Sequence, residues 1–459
     1  MQQAPDVEKQ EKTDGTDKTG RTGKRLPPII RALESRNYRL FFCAQGVSQV
    51  GLWMQKVAMG WLVYRLTDST RALGIIDFLS SFPTVLLIPL TGYMLPRLEL
   101  RKVLLVTQTL LMCCAGLIGI FTLTNVITYW LLSCIALVIG LVNAFDMPVR
   151  QSMVVYMVDD KDNMSNALAL NSSLFNVARL IGPSVAGVTI HHVGEGICFL
   201  INSVAYSSTI WAVKAMRLAR STVARKSGGH GDTRSESRGE ALREVFVGFR
   251  LLRLFPPFAL ILLLVTVTCL FGVPYLALMP AMARTVLGGT SKTMGTLLMC
   301  VGAGALVGSL LMASRKSPVG LDRWAMRCSI AFGISVSLFA LSRTVWLSMV
   351  LLAPVGFFMV TTVIACNTFL QTLVEDEYRS ALMSLYVAAM TGIAPFGSIL
   401  VGWMSEVIGT SMALCISGIV CSAGAFYCSH KLGRYRHYIH RAFVAHGFHL
   451  KEGRRWEWF

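Results

Sequence analysis

The chain has 459 residues, 54% of them hydrophobic and only 15% charged, which excludes an ordinary soluble globular protein and points to a polytopic membrane protein. A formal net charge of +18 would suit a nucleic-acid partner, but the Lys and Arg residues are segregated into a few segments rather than spread along a basic groove, so no nucleic acid is expected. The twelve Cys fall mostly inside apolar runs, without a Cys-x-x-Cys pair or a His at ligand spacing. They read as small apolar fillers, and neither a disulfide framework nor a metal site is expected.

Residues 1–37 are rich in Lys, Thr, Asp, Glu and Gly in their first 28 positions and are expected to be a disordered cytoplasmic segment. No short apolar core with a cleavage site follows a basic start, so no cleavable signal peptide is expected. Apolar runs of roughly 18 to 25 residues, enough to cross about 30 Å of hydrocarbon, then predict twelve transmembrane helices in an all-α fold. The first six fall at 38–64, 73–95, 103–124, 129–144, 167–190 and 197–216, and the second six at 258–279, 294–313, 324–341, 345–368, 382–404 and 411–429. They define an N-terminal six-helix bundle over 38–216 and a C-terminal one over 257–429.

Between the bundles, 217–256 reads as a cytoplasmic linker. Its last part places Leu242, Val245, Phe246, Phe249 and Leu252 at helical spacing, as an amphipathic helix on the membrane surface would. The tail, 430–459, interleaves basic and aromatic residues and suits acidic lipid headgroups. Its His437/His440 and His446/His449 pairs have metal spacing but read as part of a solvated interfacial tail. With both termini cytoplasmic, only Arg65, Arg71, Arg284, Lys292 and Arg343 fall on the far side of the membrane, as the positive-inside rule requires. Gly92 and Gly308 stand the same distance apart as Gly140 and Gly356, which together with equal helix counts argues for a six-plus-six repeat, a plan of transporters in a cell (inner) membrane.

Ionisable residues inside apolar helices carry the functional signal, since a charge at the bilayer centre costs at least about 2.5 kcal/mol and needs a partner or a wet cavity. Lys56 on the first helix and Asp77 on the second lie at similar depth, so they can pair, or Asp77 can cycle a proton. Arg179 on the fifth helix is the leading substrate contact: its planar guanidinium matches carboxylates, against the alternative of a hydrogen bond to Asn176. Asn171 and Asn176 add amides where a lipid-facing helix would have none, and Gln45, Ser48, Gln49 and Gln55 on the first helix are candidates to line a cavity. Pro183 removes a helical hydrogen bond, while Gly182, Ala186 and Gly187 admit a close neighbour, so this stretch is a candidate gate. Asp146 and Arg150 can pair with each other or with Arg97 and Arg101, as a switchable gate or as a fixed bridge.

From Asn37 to Thr410 the chain resembles the major facilitator superfamily, and within it a branch of bacterial exporters of siderophores and macrolides. The resemblance rests on Trp53-Met-Gln-Lys-Val-Ala-Met-Gly-Trp61-Leu-Val-Tyr64, Asn143-Ala-Phe-Asp146-Met-Pro148-Val-Arg150-Gln151, Asn166-Ala167 with Asn171-Ser172, and Ala178-Arg179-Leu-Ile-Gly182-Pro183. The superfamily's loop after the second helix is similar to Gly92-Tyr-Met-Leu-Pro96-Arg97-Leu-Glu99-Leu-Arg101-Lys102, but Pro96 stands where the family carries an acidic residue that locks the inner gate. Gly182-Pro183-x-x-Ala186-Gly187 resembles the fifth-helix motif of superfamily antiporters, with Ala186 in place of a Gly; Asn367, Gln371, Arg379 and Ser384 resemble a weaker repeat copy. The family pattern lends nothing to Lys56 and Asp77. The resemblance implies a secondary active transporter, a proton-coupled exporter of a small organic molecule such as a siderophore or drug, working by alternating access as a monomer among membrane lipids. A lysophospholipid flippase of the same fold and a non-transporting receptor or scaffold are the alternatives. No phosphate-binding loop or catalytic cluster appears, so no enzyme activity and no cofactor are expected.

Overall fold

A computed structural model of the chain describes residues 28–157, 164–216, 247–248, 250–315 and 317–435. A 3-10 turn, Pro28–Glu34, leads into α1 (Arg36–Thr67), followed by α2 (Thr70–Met94), α3 (Leu100–Leu123), α4 (Tyr129–Met157), α5 (Met164–Val193) and α6 (Glu195–Ala215). The second set begins with α7, which starts as Pro256–Val267 and continues through irregular turns at Thr268–Gly272, Val273–Leu276, Met279–Ala281 and Met282–Val286. Pro274 and Pro280 lack the N–H that a regular helix needs there, which accounts for the wider and tighter turns. Then come α8 (Ser291–Ser314), α9 (Leu321–Leu341), α10 (Val345–Leu373), α11 (Asp376–Val387 and Ala394–Ile408, joined by a π turn at Ala388–Gly392) and α12 (Thr410–Gly433).

Eleven of these helices are long and apolar enough to cross a membrane. The exception is α1, 32 residues long, whose Gln45, Ser48, Gln49, Gln55 and Lys56 lower its hydropathy. The exterior is what lipid as solvent demands: Leu86, Val204, Leu310, Val307 and Phe426 point outward, and Trp130, Trp346 and Trp211 lie near helix ends at interfacial depth. The chain is therefore a multi-pass membrane protein.

Packing follows a pattern that occurs twice. Helix α1 lies on α5 and α6, α2 on α4, and α3 on α4 and α6; likewise α7 lies on α11 and α12, α8 on α10, and α9 on α10 and α12. The two sets meet chiefly through α2 against α11 and α5 against α8. Both crossings depend on missing side chains. A Cβ on Gly295 would stand 2.6 Å from the Pro183 carbonyl oxygen, one on Gly187 2.9 Å from Gly295 Cα, and one on Gly402 2.8 Å from the Thr70 carbonyl oxygen.

Several expectations change. Residues 28–37, expected to be disordered, are ordered: Ala32 is buried and its N–H donates to Asn166 Oδ1 at 3.0 Å, while Ser35 Oγ donates to the Met157 carbonyl at 2.7 Å. Helix α4 runs on through Pro148 to Met157, so Asp146 and Arg150 sit inside a helix and not at its end. The linker over 217–246 and the tail over 436–459 lie outside the described residues, so the amphipathic helix is seen only at its end, where Leu251 and Leu252 pack on the core.

Candidate functional site

At the end of the bundle where α1 meets α2, the two sets of helices are sealed together. Asp68 on the α1–α2 turn, held in the left-handed conformation at φ 46°, pairs with Arg284 of α7 at 3.0 Å, and Arg284 also lies over the Tyr64 ring. Arg65 pairs with Glu195 at 3.0 Å. Glu406 of α11 reaches the first turn of α2, where its Oε2 accepts from Ser69 Oγ at 2.8 Å, Arg71 N–H at 3.2 Å and Thr70 Oγ1 at 3.4 Å. A carboxylate is well placed there, since the N-terminal N–H groups of a helix are unsatisfied and its dipole favours negative charge.

Deeper in, about 20 Å from that end by helical rise, the ionisable residues converge. Trp53 of α1 is the common element. Lys56 Nζ lies 4.9 Å from the centre of its ring, the Arg179 guanidinium of α5 lies 5.7 Å from it, and Phe175 meets it edge-on at 5.7 Å. Gly182 backs directly onto the Trp53 Cβ, so a side chain at 182 would displace the indole. From the second set of helices, Met359 of α10 faces the same spot: its Sδ takes Arg179 Nη2 at 3.8 Å and the Tyr275 hydroxyl at 3.8 Å. Lys56 and Asp77 are exposed although both are mid-helix, so neither is packed into the protein core.

Pairing of Asp77 with Lys56, one of the two readings of their similar depth, does not occur among the described residues. Neither residue belongs to an ion pair among the described residues, although their charges act on one another and Arg179 acts on Lys56. The partner of Asp77 is Ser398 of α11, whose Oγ donates to Oδ2 at 2.6 Å. A carboxylate of one set of helices is thus tied to the other set beside Gly74, whose missing side chain leaves room for the Ser398 carbonyl.

Asp146 and Arg150 form the pair that their spacing suggested, but Asp146 is only 1% exposed, and its Oδ1 also accepts from Thr107 Oγ1 at 2.8 Å and Gln108 Nε2 at 2.7 Å. Arg101 lies elsewhere, donating to the Lys214 carbonyl at 3.0 Å, and Arg97 is exposed. Gln45, Ser48, Gln49 and Gln55 are buried; Gln55 accepts from Asn202 of α6, while Gln45 and Gln49 each leave a carbonyl oxygen without a partner. Asn171 and Asn176 are half-buried on α5, and Arg179 turns to Trp53 and Met359 rather than to Asn176. Gly182, Pro183 and Gly187 are buried along the α5 face that meets α1 and α8.

Sequence reasoning missed Trp53, Tyr275, Met359, Ser398 and Glu406 as members of these sites. Trp53 stands three residues before Lys56, the spacing that puts two side chains on one helix face, so it was within reach. Contacts between separate helices, such as that of Ser398 with Asp77, leave no trace in local spacing.

A helical membrane bundle with a charged internal space, closed at one end by helix pairs from two similarly packed sets, is the architecture of a membrane transporter. The chain belongs to the transmembrane secretion effector family of the major facilitator superfamily, whose model matches residues 30–436. It is 21% identical over 392 residues to the staphyloferrin A transporter of Staphylococcus aureus, covering 85% of this chain and 95% of that protein. It is 20% identical over 357 residues to the multidrug efflux pump Tap of Mycolicibacterium fortuitum, covering 77% and 85% of the two chains. The fold is shared with the nucleoside transporter NupG, with TM-score 0.65, 13% identity and coverage of 90% of this chain and 100% of that one. A bacterial homologue of the lysosomal transporter Spinster, solved inward-facing and unoccupied, gives TM-score 0.62 at 12% identity, covering 92% and 99%. The chain is a transporter and not an enzyme.

Proposed function

We propose that the protein is a proton-coupled exporter of a small organic molecule of the siderophore or drug type, working by alternating access. The observation that carries this reading is the site around Trp53: two cations and, nearby, a carboxylate shared with the other set of helices, all in an accessible space sealed at one end. The names of the relatives, a siderophore transporter and an efflux pump, support the cargo type. In this reading α1 is the twelfth span, polar because it faces the cavity, and the twice-used packing pattern reflects a six-plus-six repeat. The segregation of Lys and Arg supports cytoplasmic termini, which makes the sealed end the outer one and the state inward-facing.

Asp77 is the proposed proton carrier. Protonation removes the charge that its hydrogen bond with Ser398 assists and so weakens a tie between the helices that must part for release. A cavity lined by charge also speaks against a non-transporting scaffold, which has no use for it. The test is uptake of siderophores and cationic drugs into everted vesicles with an imposed pH gradient. Wild-type accumulation should follow the gradient, and Asp77→Asn at equal abundance should abolish that response; accumulation indifferent to the gradient in both proteins would reject the coupling.

A further inference from the structure

We propose that the two cations beside Trp53 form one site for an organic anion with at least two acidic groups, Lys56 taking one and Arg179 the other. The inference rests on the exporter reading and deepens it by naming the class of cargo. It follows from counting donors and acceptors. Two cations, Lys56 and Arg179, lie over the Trp53 ring, and the Tyr275 hydroxyl meets Arg179 at the Met359 thioether. Among the described residues, that thioether, a weak acceptor, takes both Arg179 and Tyr275 at 3.8 Å, and no acceptor takes Lys56. Trp53 Nε1 is buried with no partner at all.

The carboxylate that acts on Lys56, that of Asp77, does not contact it. Asp77 takes its hydrogen bond from Ser398, and among the described residues no ion pair includes Lys56 or Arg179. Compare Asp146, whose charge is met by Arg150, Thr107 and Gln108. A cation at bilayer depth that is held in no ion pair is costly; Asp77 acts on Lys56 without contacting it, and the indole face adds a cation–π attraction of about 0.5 to 1 kcal/mol at an accessible site. Ligand oxygens would supply what the protein withholds. The guanidinium fork suits a bidentate carboxylate, and the ammonium is a point charge that accepts many orientations.

The geometry also sets a preference. Lys56 and Arg179 both lie within 6 Å of the same ring centre, and Gly182 behind Trp53 leaves the indole room to sit there. A cargo with two acidic groups should hold both cations at once, whereas a monoanion carries a single charge to share between them. Binding should therefore depend on the number and separation of acidic groups more than on the rest of the molecule.

The test uses the full-length protein in lipid nanodiscs with linear dicarboxylates from succinate to suberate as probes and butyrate as the monoanion, read as the shift in thermal midpoint on titration. The best dicarboxylate should bind about tenfold more tightly than butyrate. Lys56→Gln and Arg179→Gln should each remove that advantage, while Arg179→Lys should retain part of it and guards against a variant that fails to fold. Equal affinity for mono- and dicarboxylates, or an advantage that survives Lys56→Gln, would overturn the proposal, as would displacement by chloride alone at equal charge concentration. The exporter reading fails separately: everted vesicles that accumulate no cargo of any charge would reject transport, whereas export of cations or neutral compounds by a protein that binds no dicarboxylate would reject only the dianion site.

Discussion

Removing the Glu406 carboxylate should loosen the sealed end. Its Oε2 accepts three hydrogen bonds from the first turn of α2, at 2.8, 3.2 and 3.4 Å, so it holds one set of helices to the other through the helix terminus. A hydrogen bond to a charged group contributes about 1.5 to 3 kcal/mol, but Glu406 is exposed and water replaces much of what is lost. Discounted for that, Glu406→Ala should weaken the closed arrangement by about 1 to 2 kcal/mol, a five- to thirty-fold shift in the closed-to-open ratio at that end. Glu406→Gln keeps an acceptor without the charge and should fall between Ala and the wild type. Hydrogen exchange at the Arg71 and Ala72 amides reads this directly, since one donates to Glu406 and the other to Ser69 Oγ. Exchange should quicken in the order wild type, Gln, Ala. Equal exchange in all three proteins would refute the latch.

Two further substitutions separate structure from gating. Asp146→Ala leaves Arg150 buried without its partner, which costs about 3 to 5 kcal/mol, whereas replacing both with apolar residues of similar size should be far milder; thermal unfolding in detergent distinguishes them, and equal midpoints for the single and double variants would contradict a buried structural pair. Gly295→Leu forces a side chain against the Pro183 carbonyl and the Gly187 backbone, so it should part α5 from α8 and reduce transport at least tenfold at normal surface abundance. Wild-type rates in that variant would show that the close crossing is dispensable.

Much of this fold is legible in the sequence because lipid imposes a simple rule: apolar runs of membrane length must be helices, and basic loops mark their ends. The rule fails first where function enters. Helix α1, predicted at 38–64, is less apolar than the other spans because Gln45, Ser48, Gln49, Gln55 and Lys56 interrupt it. Helix α4 continues past Pro148 because proline removes only one backbone hydrogen bond and a helix held by neighbours tolerates that. The order seen over 28–35 depends on Asn166 and Met157, more than a hundred positions away, and no local composition signals such contacts.

The charged residues show most clearly what sequence can and cannot decide. Asp146, Arg150, Lys56, Asp77 and Arg179 look alike on paper: each is an ionisable side chain in an apolar helix. Their surroundings divide them. Asp146 is almost fully buried and its charge is met by three donors from α3 and α4, so the pair with Arg150 fastens two helices. Asp77 is tied to the opposite set of helices by a single hydroxyl, which makes it sensitive to any motion that separates them. Lys56 and Arg179 meet only an aromatic face and a thioether, so their hydrogen-bonding capacity is still open. Since an unpaired cation at membrane depth is unfavourable in a resting protein, its persistence is best understood through the state in which a partner arrives. Satisfaction of each charge by its own protein, rather than its depth in the membrane, is therefore the quantity that separates fastening from recognition.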